Sequence, residues 1–147
     1  MTLERTLCII KPDAVERHKV GAILDRIEQV GFRIVALRMM QLTRAQAEGF
    51  YEVHRERPFF AELVRFMTRS PIVAAVLEEE DAVSSWRELM GATDPAKAAP
   101  DTIRKLFGSN VGENATHGSD SVENARREIA YMFPNTFSEG MEVPKPR

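Results

Sequence analysis

Cysteine, long apolar runs and an excess of positive charge are what this 147-residue chain has least of. With Cys8 as the sole thiol no intrachain disulfide can form, and three histidines beside it make no ligand set of zinc spacing. Cys8 lies in the apolar run Leu7-Cys8-Ile9-Ile10, where a buried thiol in a reducing compartment is expected. No stretch has the length of a membrane span, and none follows Met1-Thr2-Leu3-Glu4-Arg5 as a secretory signal would, so a cytoplasmic protein without membrane attachment is expected. Lys and Arg number 20 against 22 Asp and Glu, a formal charge of −2, which excludes a broad attraction to nucleic acid. An anionic ligand must then be held by a local cluster. Neither Gly-x-x-x-x-Gly-Lys nor Gly-x-Gly-x-x-Gly occurs, so P-loop and dinucleotide-binding readings fall away.

What remains has 44% hydrophobic and 29% charged residues, the balance of an ordinary globular protein, and the length suits a single domain over residues 1–147. Only residues 143–147 suggest a loose tail. Residues 6–10 predict a first strand, ended by Lys11-Pro12-Asp13 because proline cannot supply a ladder amide, with a loop behind it. Ala22, Ile23, Ile27 and Val30 recur at helical spacing up to Gly31. A strand is expected over 32–42, then a helix opened by the capping spacing Thr43 to Gln46, and another after Pro58 with Leu63, Val64 and Met67 as its stripe. Residues 71–77 predict strand three and 80–90 a helix. Residues 91–116 show little periodicity beyond 103–107, and a loop that long inside a compact domain is often functional. A brief strand within 112–118 and a helix over 120–133, with Asp120 and Glu123 spaced for a cap, complete the chain. This order implies an α/β sandwich of the α+β class, a mostly antiparallel sheet with helices packed on one side.

Among candidate chemical groups His117 stands first, with Asn114, Gly118, Ser119 and Asp120 as small polar neighbours that leave an imidazole accessible. Such a histidine serves a turn or cap about as often as it serves chemistry. Glu128 changes the balance, because it borders the Val122, Ala125, Ile129, Met132, Phe133 stripe, where a carboxylate needs a partner. An imidazole N–H would satisfy it and leave the other ring nitrogen basic; the alternative is a carboxylate reaching solvent at the edge of the stripe. Lys11 directly follows a buried strand, Arg87 lies on the helix before Gly91, and Arg104 sits in the long loop ten residues after Asp94. Each alone is more often a solvated charge; together they could grip phosphate oxygens. Of Phe59 and Phe60 one should be core and the other free to stack, and Tyr51 is open in the same way.

Taken in order, Glu4-Arg5-Thr6 through Lys11-Pro12-Asp13, Glu48-Gly49-Phe50-Tyr51, Arg57-Pro58-Phe59-Phe60, Met90-Gly91-Ala92-Thr93-Asp94-Pro95, Thr102-Ile103-Arg104, Asn114-Ala115-Thr116-His117-Gly118-Ser119-Asp120-Ser121 and Glu128-Ile129-Ala130-Tyr131 resemble the nucleoside diphosphate kinases. The resemblance covers nearly the whole chain, and the short C-terminus resembles the bacterial form. It implies a ferredoxin-like fold and ping-pong transfer of a γ-phosphoryl group from ATP or another nucleoside triphosphate to a nucleoside diphosphate through Nδ1 of His117, with broad base specificity. By the same resemblance Glu128 orients the ring, Ser119 assists by hydrogen bonding and Asp120 supports. Lys11, Tyr51, Arg87, Thr93, Arg104 and Asn114 match positions that hold phosphates and sugar, and Phe59 and Val111 match positions that sandwich the base. Magnesium is expected to enter with the nucleotide's phosphates and not through a protein metal site. A homotetramer is expected, with a hexamer as the alternative and the segment around 91–114 as the oligomer-contact loop.

The chain departs from that pattern at Ser70, Glu79, Asp101 and Leu106, none a proposed catalytic position, and the last two bear on the contact loop. Trp86, next to Arg87, is either a packing anchor or a partial lid. Other classes remain: a nucleic-acid-binding module on the same fold, a relative without catalysis, and a phosphohistidine carrier serving a protein acceptor. The negative charge disfavours the first, and the presence of Lys11, Arg104, His117 and Glu128 together disfavours the second. Competition by free nucleoside diphosphates would separate the third.

Overall fold

The computed structural model describes residues 3–136; the tail at 143–147 lies outside the described residues. Strand β1 (Leu3–Ile10) begins earlier than residue 6 because its polar start is held by pairing instead of burial: it runs antiparallel to β3 (Ile72–Glu80) from Leu3 opposite Glu80 to Ile10 opposite Val73. The same pairing carries β3 past Leu77 into its glutamates. Glu78 is buried there and takes Arg5 Nε at 3.0 Å and Arg33 Nη1 at 3.1 Å, a carboxylate that binds β1 and β2 (Arg33–Met40) to the strand between them.

Proline ends β1 as expected, but a short helix replaces the expected loop. Pro12 is the first residue of α1 (Pro12–Glu16), a place where the missing amide is an unpaired one anyway. Helix α2 (Val20–Gln29) buries Ile23 and Ile27 and stops before Gly31, whose φ is 106°. Thr43 opens α3 (Arg44–Phe50) with a complete capping box: its hydroxyl accepts the Gln46 amide at 3.1 Å and the Gln46 side chain accepts the Thr43 amide at 2.9 Å. A 3-10 turn (Glu52–His54), α4 (Phe60–Met67) and α5 (Ala82–Met90) follow. The long segment after Gly91 holds a 3-10 turn (Pro95–Lys97) and α6 (Ile103–Phe107) before β4 (Thr116–Gly118) and α7 (Val122–Met132).

The four strands lie in the order β2-β3-β1-β4, every neighbouring pair antiparallel, which is the ferredoxin-like arrangement. The expectation of helices on one side is corrected: they cover both faces. Successive residues of β1 and β3 point opposite ways, and both sets are apolar. Leu7, Ile9, Ile72, Ala74 and Val76 pack with Ala47, Phe50, Val64, Met67 and Met132 from α3, α4 and α7. Cys8, Ile10, Val73, Ala75 and Leu77 pack with Ile23, Ile27, Trp86, Met90 and Ile103 from α2, α5 and α6. No helix among the described residues is long and apolar enough to cross a membrane.

Candidate active site

Short strand β4 places His117 opposite Ile9 on the edge of the sheet. Its backbone is fixed from below by Trp86, fully buried, whose indole N–H donates to the His117 carbonyl at 3.2 Å. Trp86 is thus the packing anchor of the two alternatives. Gly118 leaves room for it, since a Cβ there would stand 2.6 Å from Trp86 Cδ1 and 2.5 Å from Met90 Cε.

The ring of His117 meets Glu128 across α7. Nε2 lies 3.0 Å from Glu128 Oε1, and Ser119 donates its hydroxyl to the same oxygen at 2.7 Å while receiving the Leu7 amide at 3.3 Å. Glu128 is 7% exposed, so it is a buried acceptor with two donors. With the imidazole proton on Nε2, donated to this oxygen, the lone pair is left on Nδ1. The His117 side chain keeps 21% exposure, enough for a ligand to reach it. Phe50 and Tyr51 stand edge-on to the ring at 5.6 and 6.4 Å between centroids. The helix cap differs from expectation: Ser121, not Asp120, caps α7 by accepting the Asn124 amide, and Asp120 instead accepts the Asn124 side chain at 2.5 Å. Asn124, with Arg87 adding its charge, holds the Asp120 carboxyl below its ordinary range.

Beside this trio lies a group of cations. Lys11 donates to Asn114 Oδ1 at 2.6 Å, and Asn114 donates onward to the Thr93 carbonyl at 2.9 Å, so the loop and the strand end are tied through one amide. Arg104 donates to the carbonyls of Gly91 at 3.0 Å and Thr116 at 3.1 Å, and its Nε is buried with no hydrogen-bond partner among the described residues. Gly91 makes this possible: φ is 86° and Thr102 lies within 2.6 Å of where a Cβ would be. Burial pushes Lys11 down to about 8, with Asp13 opposing and Arg104 adding to the shift; burial and Arg87 push Arg104 down to about 10. Two cations lowered in part by other cations mark a place suited to an anion. Arg87 and Thr93 are exposed at the rim.

Tyr51 is buried, and burial followed by the nearness of Glu128 raises its phenol. His54 stacks on Tyr51 with 28° between planes and leans on Phe59 at 5.5 Å, a connection that spacing in the sequence did not suggest. Phe60 packs against the core, whereas Phe59 is 46% exposed and Val111 57% exposed. The unread residue of the site is Asp13, 1% exposed, whose Oδ2 accepts the Ala115 amide at 3.0 Å. Its only sequence signal was its place in the Lys11-Pro12-Asp13 motif. Of the departures, Ser70 donates to Glu16 at 2.8 Å, the Asp101 carbonyl receives Arg26 at 2.7 Å, and Leu106 is 51% exposed. The cation group with the orphaned Arg104 Nε fits a polyphosphate, and among the described residues no set of three acidic, His or Cys ligands forms a metal site of its own.

A family model described as nucleoside diphosphate kinase matches residues 4–137. A nucleoside diphosphate kinase of Sorangium cellulosum (strain So ce56) is 64% identical over 133 residues, 90% of this chain and 92% of that protein. One from Anaeromyxobacter dehalogenans (strain 2CP-C) is 58% identical over 145 residues, 99% of each chain. An orthorhombic C222 crystal form of the Aquifex aeolicus nucleoside diphosphate kinase is similar with a TM-score of 0.90 at 51% identity, covering 97% of this chain and 100% of that one. The cubic, apo structure of the Encephalitozoon cuniculi nucleoside diphosphate kinase gives 0.88 at 36% identity, covering 98% and 94%.

Proposed function

Because this chain belongs to the nucleoside diphosphate kinase family, we propose that Nδ1 of His117 is the atom that carries the phosphoryl group between its two nucleotides. The observation that supports it is the Nε2 contact to Glu128 at 3.0 Å, which commits the ring proton to one nitrogen and leaves the other nucleophilic. The Nδ1 lone pair attacks the γ-phosphorus in line; the bond from that phosphorus to the β–γ bridging oxygen breaks and its electrons leave on the diphosphate. A terminal β-oxygen of a second nucleoside diphosphate then attacks the phosphohistidine, and the Nδ1–phosphorus bond returns its pair to the ring. No proton has to move, since Nε2–H stays on Glu128 throughout, steadied by Ser119.

Lys11, Arg87 and Arg104 are the groups that stabilise the charge developing on the transferred oxygens. Asn114 holds the Lys11 ammonium in place, while Tyr51 packs edge-on against His117. Thr93 lies at the rim for phosphate or sugar. Phe59 and Val111 are exposed apolar surfaces on which a base can lie, and stacking takes any ring, so weak base discrimination follows. The family uses nucleoside triphosphates with magnesium; the metal, arriving on the phosphates, would neutralise β- and γ-oxygen charge beside these cations. We read the chain as one catalytic unit working in the cytoplasm as a homotetramer, a hexamer being the alternative; Leu37, Met39 and Leu106, half-exposed apolar residues on edge strand β2 and on α6, support association. Light scattering reports the subunit number.

Purified protein and His117→Ala are incubated with γ-labelled ATP, treated with acid and base, and chased with GDP. Base-stable, acid-labile label on the unaltered protein alone, released as GTP, is the expected result. Equal labelling of folded His117→Ala would overturn the assignment.

A further inference from the structure

A buried carboxylate is unfavourable unless something in its surroundings uses it, and Asp13 is 1% exposed with one oxygen, Oδ1, lacking a hydrogen-bond partner among the described residues. Its other oxygen holds a strained turn. Ala115 has φ 74°, and the Thr116 amide donates to the Asn114 carbonyl at 2.9 Å, two residues back; this is the rare γ-turn that a side chain with a Cβ resists. Asp13 Oδ2 accepts the Ala115 N–H at 3.0 Å from one side, and the Lys11 N–H donates to the Ala115 carbonyl at 2.8 Å from the other. The first residue of this turn, Asn114, holds the Lys11 ammonium; the last, Thr116, leads into His117.

Resting on the phosphohistidine reading, we propose that Asp13 is a positioning residue: its Oδ2 locks the Asn114-Ala115-Thr116 turn that joins the Lys11 anchor to His117. The Lys11 ammonium that this turn serves donates to Asn114 Oδ1 at 2.6 Å and lies 5.7 Å from the centre of the Phe66 ring of α4, so its place depends on where Asn114 is held.

An amide oxygen can accept the Ala115 N–H as the carboxylate does, so Asp13→Asn is the conservative variant and Asp13→Ala the one that releases the turn. The single-turnover rate of enzyme phosphorylation by ATP is measured near neutral pH, with kcat and KM beside it. Asp13→Ala should lose about tenfold or more in kcat with KM moving less, and Asp13→Asn should recover most of that loss, staying within about a few-fold of the unaltered rate. A folded Asp13→Ala with unreduced kcat overturns the turn role, as does an Asp13→Asn that loses as much as Asp13→Ala. If Asp13→Ala does not fold, recovery of the turn is read from the rate of Asp13→Asn, and a loss of about tenfold there counts against it. Failure of the unaltered protein to form acid-labile label would instead remove the phosphohistidine reading beneath.

Discussion

Proton placement on one imidazole is the smallest feature on which the activity depends. In the proposed reading Glu128 determines it, one of its oxygens lying 3.0 Å from Nε2 and accepting the Ser119 hydroxyl at 2.7 Å. In Glu128→Gln the amide can present a donor where only an acceptor served, so the ring loses its single orientation. Phosphorylation by ATP should slow by about tenfold or more with nucleotide KM little changed; stopped-flow turnover with unaltered rate would separate Glu128 from catalysis. Gly118→Ala tests the floor of the site, because the added carbon meets the rigid Trp86 ring at 2.6 Å. Overpacking of this kind should cost roughly 1–3 kcal/mol in urea unfolding, with activity falling as His117 is displaced. The His117 and Glu128 pair was legible in the sequence, since a carboxylate beside an apolar stripe demands a donor. Asp13 was not: its proline neighbour suggested a loop, and nothing local tells that residues 13 and 115 share a hydrogen bond.

Elements bring these residues into reach by how they begin and end. Helix α3 starts at the Thr43 capping box and ends beside Phe50 and Tyr51, the aromatic wall of the site; Arg127 and Tyr131 of α7 hold it through the Phe50 and Gln46 carbonyls at 3.2 and 2.9 Å. Thr43→Ala should lower stability by about 1 kcal/mol, seen as a melting temperature lower by roughly 3–5 °C. A melting temperature unchanged within error would mean that the contacts of α7 alone define where α3 starts. Capping chemistry is local, so this start was read correctly from four residues. The α7 cap was misplaced by one position because Asp120 and Ser121 are both good caps, and the partner of Asp120 is decided by Asn124 and Arg87 nearby in space.

For the whole molecule, the buried cation of the site links folding to pH. Lys11 has an ordinary value of 10.5 and a folded value of about 8. Between these the unfolded chain keeps a proton that the folded chain has released, so stability rises with pH. Cys8 acts oppositely above its ordinary 9.0, because burial keeps its thiol protonated in the fold. Stability of the nucleotide-free protein should therefore climb by about 1 kcal/mol from about pH 8 to 9 while the phosphorylation rate falls. Thermal melts across that window check it, and Lys11→Met should abolish the climb; melts that fall with pH in the unaltered protein would sink the assignment.

Apart from α1, the strand and helix order followed from sequence alone, because periodicity, proline and capping act over a few neighbouring residues. So did the pairing of His117 with Glu128, through the polarity of one helix face. Tertiary structure decided the rest. Helices cover both faces of the sheet because β1 and β3 are apolar on both sides, a pattern that a short apolar run does not reveal until its partners are known. The chain of Lys11, Asn114 and Thr93, the stack of Tyr51 on His54 and the hold of Asp13 on Ala115 join residues far apart in the chain, and such distances are set only when the whole core closes.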